Sequence, residues 1–427
     1  MANSTIERVL GRRLWDSRGR PTVETEVKLV SGAIGRALAP AGASTGAGEA
    51  LDLRDGGSRF KGQDVTKAVA SVNTEIAASL CGLDAANQVA IDAALIALDG
   101  TPTKSRLGGN AMVATSMAAA HAAADDAGLE LWQYLADGRR VYLPLPEIQI
   151  FGGGAHAGQR VDVQDFMIIA VGADDYTQAL DWSAEVYRSA GDLMAEAGLL
   201  RGVADEGGFW PTFQTNSEAL DMLVRAIEHA GFQPGEQVAI SLDIAASELG
   251  RAGRYRLSLE RRDLDSGAMI ELLLGWLRRY PIVAIEDPLA EDDADGFAQF
   301  TAAADKVAVV GDDFLVTSAQ RVRAAAARRA CNTALIKPNQ VGTLTEAKAA
   351  FDAALDEGWS TIVSARSGET EDVTIVHLAV GWGSQMLKVG SFARSERMAK
   401  WNEGLRIAES IDGRGALAAR SNFPWRK

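Results

Sequence analysis

The chain has 427 residues, 47% of them hydrophobic and 23% charged, with a formal net charge of −14. That length exceeds a single domain of ordinary size and supplies apolar material for a large core. The acidic balance argues against nucleic acid as a partner, because phosphate backbones would be repelled, yet a local cluster of cations can still hold a small anion.

The opening residues, MANSTIERVLGRRLWDSRG, contain no apolar signal core, and no run approaches a membrane span. A cytoplasmic location without a membrane partner is therefore expected. Residues 20–39 alternate as strands do: Val23, Thr25 and Val27 against Glu24, Glu26 and Lys28, then a second strand around Gly35–Ala39. Ser31-Gly32 marks the turn between them. The small-residue segment Ala41-Gly-Ala-Ser44-Thr45-Gly46 reads as a mobile loop, since its glycines permit wide backbone excursions. Three helical patterns follow, with Val65, Val69, Val72, Ile76 and Leu80 in one stripe, then Val89–Leu98 and Ala111–Ala124. Asp137-Gly138 and the nearby Pro144 and Pro146 mark a boundary, giving an α+β domain over residues 1–137 and a second domain over residues 138–427. The cysteines, Cys81 and Cys331, sit in apolar contexts and are expected to be buried free thiols.

Two polar clusters open the second domain. The first is Gly152-Gly-Gly-Ala-His156 followed by Gln164-Asp165; the second is Asp205-Glu206-Gly207-Gly208, after a helix over Tyr176–Ala197. A glycine run beside a histidine lets main chain approach a ligand closely, although tight turns carrying solvated acids would look the same. From Val238 onward one unit recurs: a short apolar run, a polar residue at its end, then a helical segment. Those ends are Asp243, Glu286, Asp312, Lys337, Ser364 and Lys388, at roughly even intervals after a longer first one. This is the rhythm of a (β/α)₈ barrel, whose strand ends all open onto one mouth.

Asp243, Glu286 and Asp312 would then crowd three carboxylates at that mouth. Such charges repel one another unless a cation lies between them, and three hard oxygen ligands suit Mg²⁺; pairing with rim arginines is the alternative. Lysine is scarce in this chain beside arginine, which gives Lys337 and Lys388 weight. Near a divalent cation the Lys337 amine should lose its proton more readily and serve as a general base. Lys388 suits a substrate anion. The segment Ser364-Ala365-Arg366-Ser367-Gly368-Glu369-Thr370 reads as the opening of a helix with an arginine beside free amides, an anion site for phosphate or carboxylate.

These motifs, taken together, resemble the enolase family over nearly the whole chain. The matching segments are Asp16-Ser-Arg-Gly-Arg-Pro-Thr-Val-Glu24, Gly42-Ala-Ser-Thr-Gly46, Asp205-Glu-Gly-Gly208, Ser241-Leu-Asp-Ile-Ala-Ala-Ser-Glu248, Ile285-Glu-Asp-Pro288, Gly311-Asp-Asp313, Leu335-Ile-Lys337 with Asn339-Gln340, Arg366-Ser-Gly-Glu-Thr-Glu-Asp372, and Ser395-Glu-Arg-Met-Ala-Lys400 with Asn402. The resemblance implies an α/β fold, a modified (β/α)₈ TIM-type barrel capped by a smaller N-terminal α+β domain, and a homodimer. It implies a Mg²⁺-dependent hydro-lyase that eliminates water from 2-phosphoglycerate, with two Mg²⁺ per site. Asp243, Glu286 and Asp312 would bind the first ion and Ser44 the second. Lys337 would take the proton beside the substrate carboxylate, and Glu206, assisted by Asp165, would help the hydroxyl depart. Arg366 and Ser367 would hold the phosphate and Lys388 the carboxylate, with His156 and Gln164 lining the site.

Four positions depart from the family pattern. Ala365 stands where a histidine usually precedes Arg-Ser, Asp165 where a glutamate follows glutamine, Ala41 where the loop carries serine, and Gly152 where asparagine precedes Gly-Gly. All four fall in segments expected to face the substrate. A larger substrate is one implication, in the manner of the relative carboxyphosphonoenolpyruvate synthase, which dehydrates a phosphonoformyl ester of glycerate. A binding protein that kept the fold without the chemistry is another.

Overall fold

The computed structural model describes residues 4–43, 45–411, 415–418 and 423–426. An antiparallel sheet comes first, β1 (Ile6–Trp15), β2 (Pro21–Leu29) and β3 (Ile34–Leu38), in the order β1-β2-β3. Its first strand is not apparent from residue alternation: Arg12 and Arg13 are adjacent, and both are half-buried. The valine stripe beyond is one helical run, α1 (Thr66–Ser71) and α2 (Ala77–Leu80) joined by a π turn over Val72–Ile76. Then come α3 (Gln88–Asp99), α4 (Gly109–Asp126) and α5 (Leu131–Ala136). The alanines of α4 let it lie directly on β3. A Cβ at Gly35 would meet Ala118 O at 2.1 Å and Ala122 N at 2.2 Å, so only glycine fits there.

The second part is built from β4 (Leu145–Gly152), β5 (Asp165–Ile169), α6 (Tyr176–Glu196), α7 (Asn216–His229) and β6 (Ala239–Asp243). A small sheet of β7 (Gly250–Arg251), β8 (Arg254–Leu257) and β9 (Arg262–Asp265) precedes α8 (Ser266–Arg279). That insertion accounts for the long first interval between strand ends. Then follow β10 (Ile282–Glu286), α9 (Ala294–Ala303), β11 (Ala308–Gly311), α10 (Ala319–Arg328), β12 (Thr333–Ile336), α11 (Pro338–Val341), α12 (Leu344–Asp356), β13 (Ser360–Ser364), α13 (Thr374–Trp382), β14 (Met386–Gly390) and α14 (Ser395–Ile411). Eight strands, β4-β5-β6-β10-β11-β12-β13-β14, close into a barrel. All neighbours are parallel except β5, which runs against both β4 and β6. Side-chain oxygens of Asp175, Thr215, Asp265, Ser318 and Thr343 cap the first turns of α6, α7, α8, α10 and α12.

At the end of the barrel away from the mouth, Phe423 stacks on Trp425 at 4.8 Å and closes the floor over Leu145, Ile169 and Met386. No helix among the described residues is long and apolar enough to cross a membrane. Cys331 is buried, but Cys81 is exposed, contrary to expectation. It follows directly on α2, where the chain leaves the helix, and its thiol lies 3.6 Å from the Glu7 carbonyl at the edge of the sheet.

Candidate active site

The barrel mouth gathers the chemistry-bearing residues around one small pocket. Lys337, Glu206, His156, Gln164, Asp165, Asp243, Arg366, Ser367 and Lys388 all line it, together with Ala365. Most arrive on a strand end or the loop beyond it; Glu206 comes from the connection between α6 and α7, and Asp165 opens the reversed strand β5 and so reaches the mouth from the opposite direction. Glu286 and Asp312 lie behind these groups, both buried. Ser44 lies outside the described residues.

Lysine ammonium groups distribute the charge. Lys388 Nζ donates to Asp243 at 2.9 Å and to Glu286 at 2.7 Å and stands 3.7 Å from Asp165. Burial alone would lower this amine, but those carboxylates outweigh it and hold the ammonium well above the usual lysine range. Asp243 also accepts from Gln164 at 3.0 Å. Lys337 Nζ donates to Asp312 at 2.5 Å, while Gln340 donates to the other oxygen at 2.8 Å. The expectation of a depressed lysine concerned the site with a divalent cation bound; the charges of the protein alone act the other way. Burial does favour the neutral amine, but Asp312 in direct contact outweighs burial and raises the pKa.

The three carboxylates expected to share one ion do not form a compact trio. Sets of three donor atoms within 4.8 Å of one another, among the described residues, are His156, Asp165 and Glu206, and Asp287, Asp312 and Asp313. Mutual repulsion is relieved by the two ammonium groups seated among Asp243, Glu286 and Asp312. The donor set nonetheless suits a hard divalent cation, since all three side chains are buried carboxylates and Glu286 Oε1 has no hydrogen-bond partner among the described residues. Asp287 belongs to the same wall: its carboxylate accepts from the Asp312 and Asp313 amides at 2.9 and 2.8 Å and so fixes the end of β11.

On the opposite side His156 bridges two acids. Its Nδ1 donates to Asp165 at 2.8 Å, and its Nε2 stands 3.7 Å from Glu206. Burial would lower the imidazole, but Asp165 and Glu206 overcome it and raise the pKa to about 9. Burial would raise Asp165, but His156 overcomes it and the carboxyl falls to about 2. Gln149, which no sequence motif singles out, donates to Asp165 and accepts from the Gly208 amide, tying the Glu206 loop to the barrel. One oxygen of the shortened Asp165 side chain is thus engaged by both His156 and Gln149.

The segment from Ala365 to Val373 is not a helix; α13 begins only at Thr374. Main chain here is committed elsewhere, because Gly368 and Ala41 exchange two hydrogen bonds at 2.8 Å. The anion site expected at a helix start is therefore an extended loop. It is held from beneath by Arg397, which donates to the carbonyls of Arg366, Ser367 and Val389 at 2.7 Å each. Arg366 itself pairs with Glu49 at 3.0 Å and with Asn339 at 3.2 Å, while Ser367 accepts from Arg18 at 3.4 Å. Of the four departing positions, Ala41 sits in that two-stranded bridge and Gly152 faces Ala204, whose Cβ would lie 2.6 Å from any added side chain.

Comparison with known families agrees with this architecture. A model described as the enolase N-terminal domain matches residues 6–135, and one described as the enolase C-terminal TIM barrel domain matches residues 140–424.

Proposed function

Because the chain belongs to the enolase family, we propose that it is a Mg²⁺-dependent hydro-lyase, removing water from 2-phosphoglycerate or a close phosphonate analogue to give a phosphoenolpyruvate-type product. The observation that carries this reading is one buried cavity lined by an amine, Lys337, and a carboxylate, Glu206, with the cations Arg366 and Lys388 beside them. Asp243, Glu286 and Asp312 would hold Mg²⁺, with Ser44 for a second ion, and bound there the metal supplies positive charge against which substrate negative charge can build.

In this scheme Lys337 Nζ, as a neutral amine, takes the proton from the carbon beside the substrate carboxylate. The electron pair of that C–H bond passes into the carboxylate and then forms the carbon–carbon double bond. Glu206 protonates the departing β-hydroxyl, which leaves as water, and His156 and Asp165 keep that acid in place. Arg366 and Ser367 receive the phosphoryl or phosphonyl group, Gln164 orients Asp243, and Lys388 faces the substrate carboxylate. Lys337 can act as a base only when Asp312 no longer holds its proton, and a cation held by Asp312 would supply the positive charge that favours the neutral amine.

Ultraviolet absorbance of an enol product after adding 2-phosphoglycerate and Mg²⁺ tests the reading. Absence of signal with this substrate and with its phosphonoformyl analogue would replace it by a binding role. The second substrate is favoured by Ala365, which presents only a methyl group to the cavity; turnover of the analogue alone would settle for it. Lys337→Ala should slow exchange of the substrate C2 proton with solvent by about 10²–10⁴-fold; persistent exchange would remove Lys337 as the base. A cytoplasmic homodimer belongs to the same proposal.

A further inference from the structure

The mouth cavity is separated from a second, outer cleft lined by Gly42, Thr45, Gly46, Gly48, Glu49 and Asp52 among others. Arg366 lines both spaces, whereas Glu49 lines only the outer one. Their ion pair is therefore part of the wall between them. The Arg366 Nη1 atom lies 3.0 Å from one Glu49 oxygen and Nη2 lies 3.5 Å from the other, a forked contact between side chains that are 4% and 8% exposed.

This fork is the geometry in which a guanidinium takes any planar or tetrahedral oxyanion, so a carboxylate and a phosphoryl group compete for it. The remaining partners of Glu49 meet one oxygen, which accepts from the Gly46 amide at 3.0 Å and from Gln340 at 3.2 Å, and Gln340 donates to Asp312 as well. Farther along the segment, Ala47 is clamped from both sides, its amide donating to Glu291 at 2.8 Å and its carbonyl accepting from Arg321 at 2.5 Å. The clamp fixes the stem two residues before Glu49, so that only the Glu49 side chain need turn for Arg366 to be released.

We infer that Glu49 is a gating residue: its carboxylate occupies the anion seat of Arg366 and must be displaced by the phosphoryl or phosphonyl group of the incoming substrate. This rests on the proposed function only in taking Arg366 as the anion seat. Its consequence is a penalty on apparent affinity, because the seat is available for only part of the time.

Inorganic phosphate, titrated calorimetrically into the full-length protein, reads that penalty. Glu49→Gln keeps the size and the acceptor for Gly46 but removes the charge, and should bind phosphate at least about 10-fold tighter than the unaltered chain. Glu49→Asp, drawn back by one methylene, should fall between them. Equal or weaker binding by Glu49→Gln would overturn the inference, for Glu49 would then be a strut that holds Arg366 in position. Should Glu49→Gln fold poorly, phosphate binding by Glu49→Asp tests the inference in the same direction: tighter binding supports the gate, and equal or weaker binding overturns it. Failure of the hydro-lyase reading is recognised separately, by the missing enol product from the unaltered protein.

Discussion

The buried His156–Asp165 pair makes the protein's stability depend on pH in a way that can be worked out residue by residue. The imidazole is raised from 6.5 to about 9, so its contribution is complete below pH 6.5 and is lost as pH climbs through 9. The carboxyl is lowered from 3.8 to about 2, so its contribution is complete above pH 3.8 and is lost as pH drops through 2. Both are in force between pH 3.8 and 6.5. His156→Gln should therefore lose the most thermal stability in that window and converge on the unaltered protein near pH 9. Melting temperatures measured across pH would show it; a constant difference between the two proteins would contradict it. This pair is only half legible in the sequence. His156 and Asp165 both stand out as polar residues near glycines, but their contact needs β5 reversed against β4, which no spacing announces. Glu49 is invisible for a different reason: 317 residues separate it from Arg366, and an acid after a glycine loop looks solvated.

At the level of elements, the six strand ends from Asp243 to Lys388 are readable because each parallel strand is an apolar run halted by a polar residue, buried on both faces. The β4–β5 hairpin escapes because β5 places its polar residue first rather than last. The loop after β13 looks like a helix start in the sequence, since Ser and Arg-Ser resemble a cap, whereas a main-chain bridge to Ala41 claims its amides. That loop depends on α14, where Arg397 is fully buried. Arg397→Met should leave three buried carbonyls without their donor and cost at least about 1–3 kcal/mol, measurable by urea unfolding. Because the same loop carries Arg366 and Ser367, KM should rise more than kcat falls. A loss of stability with unchanged KM would confine Arg397 to a structural role.

For the molecule as a whole, the two parts share one continuous apolar core running from Ile6 in β1 to Ala408 in α14. Polar ties reinforce it: Asp92 accepts from Thr345, Asp372 from the Leu38 amide, and Lys104 pairs with Glu346 at 2.8 Å. The sheet and its helices should therefore unfold together with the barrel, in one calorimetric transition. Two resolved transitions would show that the shared core contributes little coupling.

The reversed strand β5 imposes a constraint of its own. It is five residues long and pairs antiparallel on both sides, with Asp165 opposite Asp243 and Phe166 opposite Leu242. Alternate side chains face opposite ways, so a slip of a single residue would exchange the roles of these two neighbours. A phenyl ring would then intrude where His156 needs its anion, and the charge would be thrust into the greasy layer outside. Lengthening β5 itself by one residue should therefore be tolerated only if the extra residue bulges out entirely, whereas the long connection from β4 can absorb an insertion without moving the register.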